Sequence, residues 1–117
     1  HVVCLLCDRD IQGTGVSVTF FDEETSIPAG PATLSIRTGA KIIPVAVYQR
    51  SKLHHAIVRP PLNSARQGNL REDVARISQD IARSFEELIL LEPEQWHLMS
   101  PNWPSDHEAL RKHYRKS

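Results

Sequence analysis

The sequence lacks two features that would point to common classes of binding partner. It has no net charge, because 14 Lys and Arg residues balance 14 Asp and Glu residues, whereas a protein that binds nucleic acid through its phosphates normally carries a basic excess. It also lacks a long apolar run, since the longest span residues 2–7 and 42–48 and a transmembrane helix needs roughly 18 apolar residues. We therefore expect no nucleic-acid partner and only peripheral contact with a membrane.

Cysteine is scarce too, and the six histidines form no metal-binding pattern. Cys4 and Cys7 have C-x-x-C spacing, but side chains three positions apart on a strand point to opposite faces, and no second pair completes a zinc site. Both thiols are therefore predicted to be core residues. The H-E-x-x-H, G-x-S-x-G and G-x-x-x-x-G-K-[ST] motifs are absent, which argues against a zinc hydrolase, a serine hydrolase and a P-loop protein. We expect neither a metal nor a cofactor.

The first third of the sequence predicts strands that flank a helix. Residues 2–7 form an apolar run typical of a strand buried on both faces of a parallel or mixed sheet. Residues 16–21 alternate as a second strand, and residues 22–26 form an acidic loop. Pro31 fits the first turn of a helix, and Gly39 fits its end.

The rest of the sequence predicts a second helix and further strands. Residues 41–48 form a strand, so the helix before them is predicted to be a crossover. Residues 53–59 form another strand, residues 71–92 carry apolar side chains at helical spacing, and residues 106–114 form a short helix. We predict an α/β fold made of a partial mixed sheet, a crossover helix and a long C-terminal amphipathic helix.

Acidic residues are the best candidates for chemistry. Asp8, Arg9 and Asp10 follow the first predicted strand, at the edge where open α/β sheets bind ligands, although Asp is also a routine turn residue. Glu23 and Glu24 precede the predicted helix. A carboxylate there either interacts only with solvent and the helix dipole or orients a base histidine, as the third group of a catalytic triad does. The residue types leave both alternatives open.

Several motifs in a fixed order resemble a known family. They are L-C-D-R-D at residues 6–10, the paired phenylalanines at 20–21 followed by a glutamate, P-A-G-P-A at 28–32, R-T-G-A at 37–40 and P-E-Q-W-H-L at 93–98. Together they resemble the lysophospholipid acyltransferase superfamily, in the branch of bacterial lipid A lauroyl/myristoyl acyltransferases. Within that branch they are most similar to actinobacterial phosphatidylinositol mannoside acyltransferases.

The resemblance implies that residues 1–117 are the C-terminal fragment of a single acyltransferase domain with a glycerol-3-phosphate acyltransferase-like fold. The family's H-x-x-x-x-D signature supplies a histidine that deprotonates the acceptor hydroxyl. None of the six histidines here is followed by Asp five positions on. The signature is therefore expected to precede His1, and the isolated fragment is expected to be inactive, to expose apolar surface and to self-associate.

The resemblance also implies roles for individual residues. The family's glutamate, which partners the catalytic histidine, maps onto Glu23, and Glu24 is the alternative. This choice stays open because Asp22 stands where the family usually has Gly. The D-R-D run at residues 8–10 matches the family's strand-end motif and by that resemblance lines the polar-headgroup side of the active-site groove.

The function implied by the resemblance is glycolipid acylation. A long-chain acyl group would pass from acyl-CoA, as co-substrate, to a hydroxyl of a mannosylated phosphatidylinositol at the cytoplasmic face of a bacterial cell membrane. No cofactor is implied. The alternatives are the same chemistry on a lipid A precursor, and a non-catalytic binding domain that kept the fold.

Overall fold

The computed structural model describes residues 1–98 and 100–116, which form a mixed α/β structure. The elements in chain order are β1 (Val16–Phe20), β2 (Glu23–Ile27), α1 (Gly30–Thr38), β3 (Val45–Arg50), β4 (Leu53–Val58), α2 (Leu70–Leu91), a single 3-10 turn (Pro93–Gln95) and α3 (Pro104–Arg115). The mixed class, the long helix and the short last helix are confirmed. None of the helices in the described residues is both long enough and apolar enough to cross a membrane.

The predicted single mixed sheet is wrong for the described residues. They contain two separate antiparallel pairs, β1 with β2 and β3 with β4. Helix α1 therefore connects two hairpins of different sheets and is not a crossover between parallel strands. The predicted first strand is also wrong, because residues 2–7 have no regular structure and Leu6 is 99% exposed. A strand needs a neighbour for its backbone N–H and C=O groups, and none of the described strands pairs with this segment.

The β1–β2 hairpin turns through two residues in the left-handed region. Phe21 has φ of 50° and Asp22 has φ of 61°, as a type I′ turn requires at both central positions. The register places Phe20 opposite Glu23. Most of residues 22–26, predicted as a loop, is therefore strand β2. The hairpin was not foreseen because its turn lacks the Asn-Gly or Asp-Gly pair that normally signals this type.

Polar side chains of α2 satisfy the outer edge of β1. Gln79 accepts a hydrogen bond from the Thr19 N–H at 2.8 Å and donates to the Thr19 carbonyl at 2.8 Å. Glu86 accepts from the Phe21 N–H at 2.7 Å. At Thr19 and Phe21 these side chains take the place of a third strand.

The β3–β4 hairpin rests on α2 through one buried tyrosine. Tyr48 is 4% exposed, and its hydroxyl donates to the Leu88 carbonyl. Strand β4 confirms the strand predicted over residues 53–59, whereas β3 begins only after Pro44, which has no N–H to donate. The predicted strand over residues 41–48 is therefore confirmed only in its second half.

The signals for helix ends are confirmed. Helix α1 has Pro31 in its first turn, and Gly39 ends it in the left-handed conformation with φ of 74°. Helix α2 begins with a capping box in which Asn69 and Glu72 each bond the other's backbone. The predicted range of 71–92 differs from the observed helix by one residue at each end.

The core lies between the β1–β2 hairpin and α2. Val18, Phe20 and Ile27 of the hairpin are at most 3% exposed and pack with Ile77 and Ile81 of the helix. Full burial of a side chain of this size contributes roughly 1.5–3 kcal/mol. The turn end of this hairpin, which carries Glu23, is therefore next to the best-packed part of the chain.

Candidate active site

Four aromatic rings form a cluster at the turn end of the β1–β2 hairpin. The rings belong to Phe20, Phe21, Trp96 and Trp103, and their centroids are 4.8–6.3 Å apart. The indole N–H of Trp103 donates to the Phe20 carbonyl at 2.8 Å. Aromatic pairs at such spacings attract beyond their buried area, so this four-ring cluster fastens Trp96 and Trp103 to the hairpin.

Glu23 lies beside the four-ring cluster and accepts hydrogen bonds with both carboxylate oxygens. The Ser105 N–H donates to Oε1 at 3.0 Å, and the Ser105 hydroxyl donates to Oε2 at 2.8 Å. Ser105 belongs to the first turn of α3, where unpaired N–H groups and the positive end of the helix dipole stabilise a carboxylate. Glu23 therefore anchors the start of α3 to the hairpin.

Glu23 retains capacity for one more donor. A carboxylate offers about four acceptor positions, and within residues 1–98 and 100–116 its hydrogen bonds go to Ser105 alone. The side chain is half-buried, so it is neither enclosed nor fully solvated. An imidazole N–H can take a free acceptor position in the way that the histidine of a catalytic triad bonds its carboxylate.

Strand geometry separates Glu23 from the neighbouring carboxylates. Successive side chains of a strand point to opposite faces, so Glu24 lies on the outer face, where it accepts from the Ser17 hydroxyl at 2.6 Å. Asp22 is exposed at the turn. Glu23 lies on the face that carries Phe20, its partner in the register. Of these carboxylates, Glu23 is the one placed to meet a partner at the cluster.

Asp8 and Arg9 join the first segment to the residues that follow the 3-10 turn. The indole N–H of Trp96 donates to Asp8 Oδ2 at 2.9 Å, and Arg9 Nη2 donates to the His97 carbonyl at 2.9 Å. The two side chains also form an ion pair at 3.5 Å, and each is 29% exposed. Both side chains are therefore partly open to solvent. They lie beside the four-ring cluster, because Asp8 bonds Trp96.

Asp10 makes contacts of a different kind. It accepts hydrogen bonds from the Gly15 N–H at 2.7 Å, the Gly13 N–H at 3.1 Å and the Ser26 hydroxyl at 2.7 Å. Desolvation by itself would raise the pKa of Asp10, but the Ser26 hydroxyl and the backbone N–H groups of Gly15, Gly13 and Thr14 hold that pKa below its usual value. In this structure Asp10 organises the loop that leads into β1.

Only one of the two thiols is shielded. Cys4 is exposed, so the prediction that it lies in the core is wrong, while Cys7 is half-buried. Burial, and to a smaller extent the negative charge of Asp8, raise the pKa of Cys7 to about 11. Cys7 is therefore a neutral thiol near pH 7. Within the described part of the chain, no group of three or more His, Cys, Asp or Glu side chains could hold a metal ion.

An apolar groove adjoins Asp8 and Trp96. It has a volume of about 380 Å³ and lies between residues 5–8, strand β3 and helix α2. Apolar and aromatic side chains form most of its wall, namely Leu5, Leu6, Val45, Val47, Phe85, Leu88, Ile89 and Trp96. A groove of this composition suits a hydrocarbon chain.

Sequence reasoning missed Ser105, Trp96 and Trp103 as parts of this site. Pro104 after Trp103 is a signal for the start of a helix, because Pro favours the first helical position. That signal places the N–H groups of a new helix after Trp103 but does not say which carboxylate they meet. Glu23 and Ser105 are 82 positions apart, and no local pattern reports a contact at that separation.

Comparison with known proteins assigns residues 1–105 to the family of bacterial lipid A biosynthesis acyltransferases. A phosphatidylinositol mannoside acyltransferase of Mycobacterium tuberculosis H37Rv is 37% identical over 112 residues, which cover 96% of this chain and 34% of the relative. The enzyme of the same name from Mycolicibacterium smegmatis is 38% identical over 104 residues, which cover 89% of this chain and 33% of the relative. The chain thus spans about a third of the length of these relatives.

Proposed function

Because this chain belongs to the bacterial lipid A biosynthesis acyltransferase family, we propose that it forms part of an enzyme that acylates a mannosylated phosphatidylinositol. The acyl group is long and comes from acyl-CoA. The observation that carries this proposal is the similarity to two phosphatidylinositol mannoside acyltransferases over 89–96% of the chain. The position of Glu23 also supports it, because this carboxylate is half-buried at the four-ring cluster and can accept further hydrogen bonds.

Glu23 acts as a positioning residue in the proposed reaction. Its carboxylate accepts the N–H of the catalytic imidazole and stabilises the imidazolium that forms when the other ring nitrogen takes the proton of the acceptor hydroxyl. The acceptor oxygen attacks the thioester carbonyl of acyl-CoA, the C–S bond breaks, and the imidazolium returns its proton to the departing thiolate. No histidine of this chain has the family's spacing to an aspartate, so another part of the enzyme supplies the imidazole.

Asp8, Arg9 and Asp10 lie on the headgroup side in this proposal. Arg9 uses Nη2 for the His97 carbonyl, and a guanidinium has five N–H donors, so further donors remain for a phosphate of a phosphoinositide. Asp8, partly exposed beside it, can accept from sugar hydroxyls. Asp10, next in the chain, contributes by holding the loop that leads into β1.

The apolar groove is the proposed place for the acyl chain. Each buried methylene of a hydrocarbon chain contributes about 0.8 kcal/mol, and the groove opens next to Asp8. A lipid whose polar head meets Asp8 and Arg9 can therefore place its tail against β3 and α2. We place the enzyme at a membrane surface, bound peripherally, because both substrates are amphiphiles, and we propose the cytoplasmic face from the resemblance to the family.

The test is acyl transfer by a chimera in which this chain replaces the matched third of the M. smegmatis enzyme. We expect Glu23→Gln to lower kcat about a hundredfold, the range of a general acid–base contribution. We also expect the acid limb of its pH–rate profile to move to lower pH, because loss of a neighbouring negative charge lowers the pKa of an imidazole. A purely structural role for Glu23 would leave that limb in place.

Glu24→Gln is the matched control, since it makes the same change one position away on the outer face of β2. It should retain activity. A larger loss from Glu24→Gln than from Glu23→Gln would transfer the role to Glu24. Equal melting temperatures of the two variants would show that the difference in rate is not a difference in folding.

A lipid A precursor is the second candidate acceptor, because the matching family is named for lipid A biosynthesis. The same chimera should be assayed with mannosylated phosphatidylinositol and with an underacylated lipid A in parallel. Preference for the second would replace the first proposal. A folded chimera that transfers acyl groups to neither would favour a non-catalytic binding domain.

A further inference from the structure

The β3–β4 hairpin carries apolar side chains on both faces at the end away from its turn, whereas Gln49 and His54 lie on the outer face at the turn end. Its inner face carries Tyr48, which is buried on α2. On the outer face, Val45, Val47 and Val58 remain 46%, 62% and 64% exposed, and the register places Val45 directly opposite Val58. An antiparallel sheet with one solvated face normally alternates apolar and polar residues, whereas strands covered on both faces are apolar throughout. The outer face therefore has the composition of a buried surface.

A second exposed apolar region lies next to this face. Val2, Val3 and Leu6 are 89%, 65% and 99% exposed. Leu6 lines the apolar groove together with Val45 and Val47, so the outer face, the groove and residues 2–6 are continuous. Contiguous apolar surface of this kind marks an interaction site in soluble proteins.

The free edge of β3 borders the same region. Gln95 bonds both the N–H and the carbonyl of Gln49 at this edge, at 2.7 and 3.0 Å. Because the backbone groups of alternate residues in a strand point to the same side, those of Val45 and Val47 point to the free edge as well. These two residues thus combine exposed apolar side chains with backbone groups that another strand can pair.

We propose that this surface, made of Val45, Val47, Val58 and residues 2–6, docks the part of the acyltransferase domain that the relatives have and this chain does not match. The occupant is argued from length and composition. The chain covers only 33–34% of the relatives it resembles along most of its length, and the exposed valine face of the β3–β4 hairpin is the kind that a larger sheet and its helices cover. The inference rests on family membership and is independent of the acceptor lipid and of the role of Glu23; the docked part would close the outer side of the apolar groove, which shares Leu6, Val45 and Val47 with this surface.

Amide hydrogen exchange compares the isolated chain with the M. smegmatis chimera described above. We expect the N–H groups of Val45 and Val47 to exchange at least tenfold more slowly in the chimera, because docking satisfies or shields them. Unchanged exchange would overturn the proposal, whatever the chimera does to glycolipids. Acyl transfer without slower amide exchange would contradict this inference alone. Slower amide exchange without acyl transfer would contradict the proposed function alone.

A pair of substitutions on one hairpin provides the matched control. Val47→Asp should leave the melting temperature of the isolated chain within about 2 °C but lower that of the chimera by several times as much, since it buries an unpaired charge only there. Leu53→Asp introduces the same charge at a site that is 73% exposed and, by register with Arg50, on the opposite face, so it should be tolerated in both proteins. Val58→Asp repeats the test should Val47→Asp fail to fold.

Two other occupants give distinct results, and each would overturn the proposal. Protection in the chimera that rises with the concentration of the chimera would identify a second copy of the chain. Protection that appears only with vesicles of anionic phospholipid would identify the membrane. Equal effects of Val47→Asp and Leu53→Asp in the chimera would show that the outer face is not an interface.

Discussion

The two hairpins pack on the same helix but differ in what they leave uncovered. The β1–β2 hairpin places Val18 and Phe20 in the core and turns Ser17 and Thr19 outward, and side chains of α2 bond its outer edge. The β3–β4 hairpin turns valines outward and is fastened to α2 through Tyr48. Both have regular strand pairing. The polarity of the outward side chains, more than the strand pairing, therefore distinguishes the hairpin that suits solvent from the hairpin that suits a further covering layer.

The largest effect that this comparison predicts comes from the centre of the first hairpin. Phe20 is 0% exposed and contacts the other three rings of the four-ring cluster. We expect Phe20→Ala to lower the free energy of unfolding by about 3–5 kcal/mol, the usual loss for a buried phenylalanine, as measured by denaturant titration. Tyr114→Ala, at a site 74% exposed, should change it by less than about 0.5 kcal/mol. If both variants lost similar amounts of unfolding free energy, the first hairpin would not be the best-packed part of the chain.

The entry to the first hairpin should be nearly as sensitive. A Cβ on Gly15 would overlap the Ile27 carbonyl and lie 2.7 Å from Asp10 Oδ2. Gly15→Ala should therefore cost about 1–3 kcal/mol, as overpacking does, and should lower the melting temperature. A Cβ on Gly30, at the start of α1, would approach none of the described neighbours within 4 Å, so Gly30→Ala should be neutral or slightly stabilising. A stable Gly15→Ala variant would mean that the loop can move away from β2.

A direct comparison of the hairpins makes the same substitution in each. Val18 is 3% exposed and Val47 is 62% exposed. Removal of two carbon atoms should cost about 2 kcal/mol in Val18→Ala, from lost burial and an unfilled cavity. It should cost less than about 0.5 kcal/mol in Val47→Ala. Denaturant midpoints of the isolated chain measure both, and a loss from Val47→Ala equal to that from Val18→Ala would show that the outer face is already covered.

The smallest predicted effect is a dependence of stability on pH. Because hydrogen bonds hold the pKa of Asp10 below its usual value, the ionised carboxylate stabilises the folded state above about pH 4. That contribution is lost as the pH falls below the unfolded-state pKa and through the folded-state pKa. Melting temperatures between pH 3 and 7 should fall less steeply in Asp10→Asn than in the unchanged chain. Asp22→Asn, at an exposed turn position, is the control and should leave the slope unchanged.

The elements that local chemistry defines were predictable from the sequence. Helix α1 has Pro31 and Gly39 at its ends, and α2 carries an apolar stripe from Val74 to Ile89, so both were placed within a few residues. The strand predicted over residues 2–7 was wrong for a physical reason. An apolar run reports that a segment prefers burial, but not whether a neighbouring strand is there to pair with it.

The candidate site was predictable only in part. Residue type and position made residues 8–10, Glu23 and Glu24 candidates, and resemblance to a family supplied their roles, which stay predictions. The structure adds that Glu23 meets Ser105 and that Asp8 meets Trp96, contacts that join distant parts of the chain. The Phe21–Asp22 turn was also beyond local rules, because Asp tolerates the left-handed conformation but Phe rarely adopts it, and packing holds Phe21 there.

The bond between Gln79 and Thr19 has a consequence for behaviour at high concentration. One primary amide presents a donor and an acceptor to the strand, as a single residue of a neighbouring strand would. Recruitment of a foreign strand at that position would have to break both bonds first. Addition of a foreign strand is therefore disfavoured at Thr19 on the outer edge of β1, whereas the strand edge at Val45 and Val47 carries no comparable bonds from side chains of the described residues.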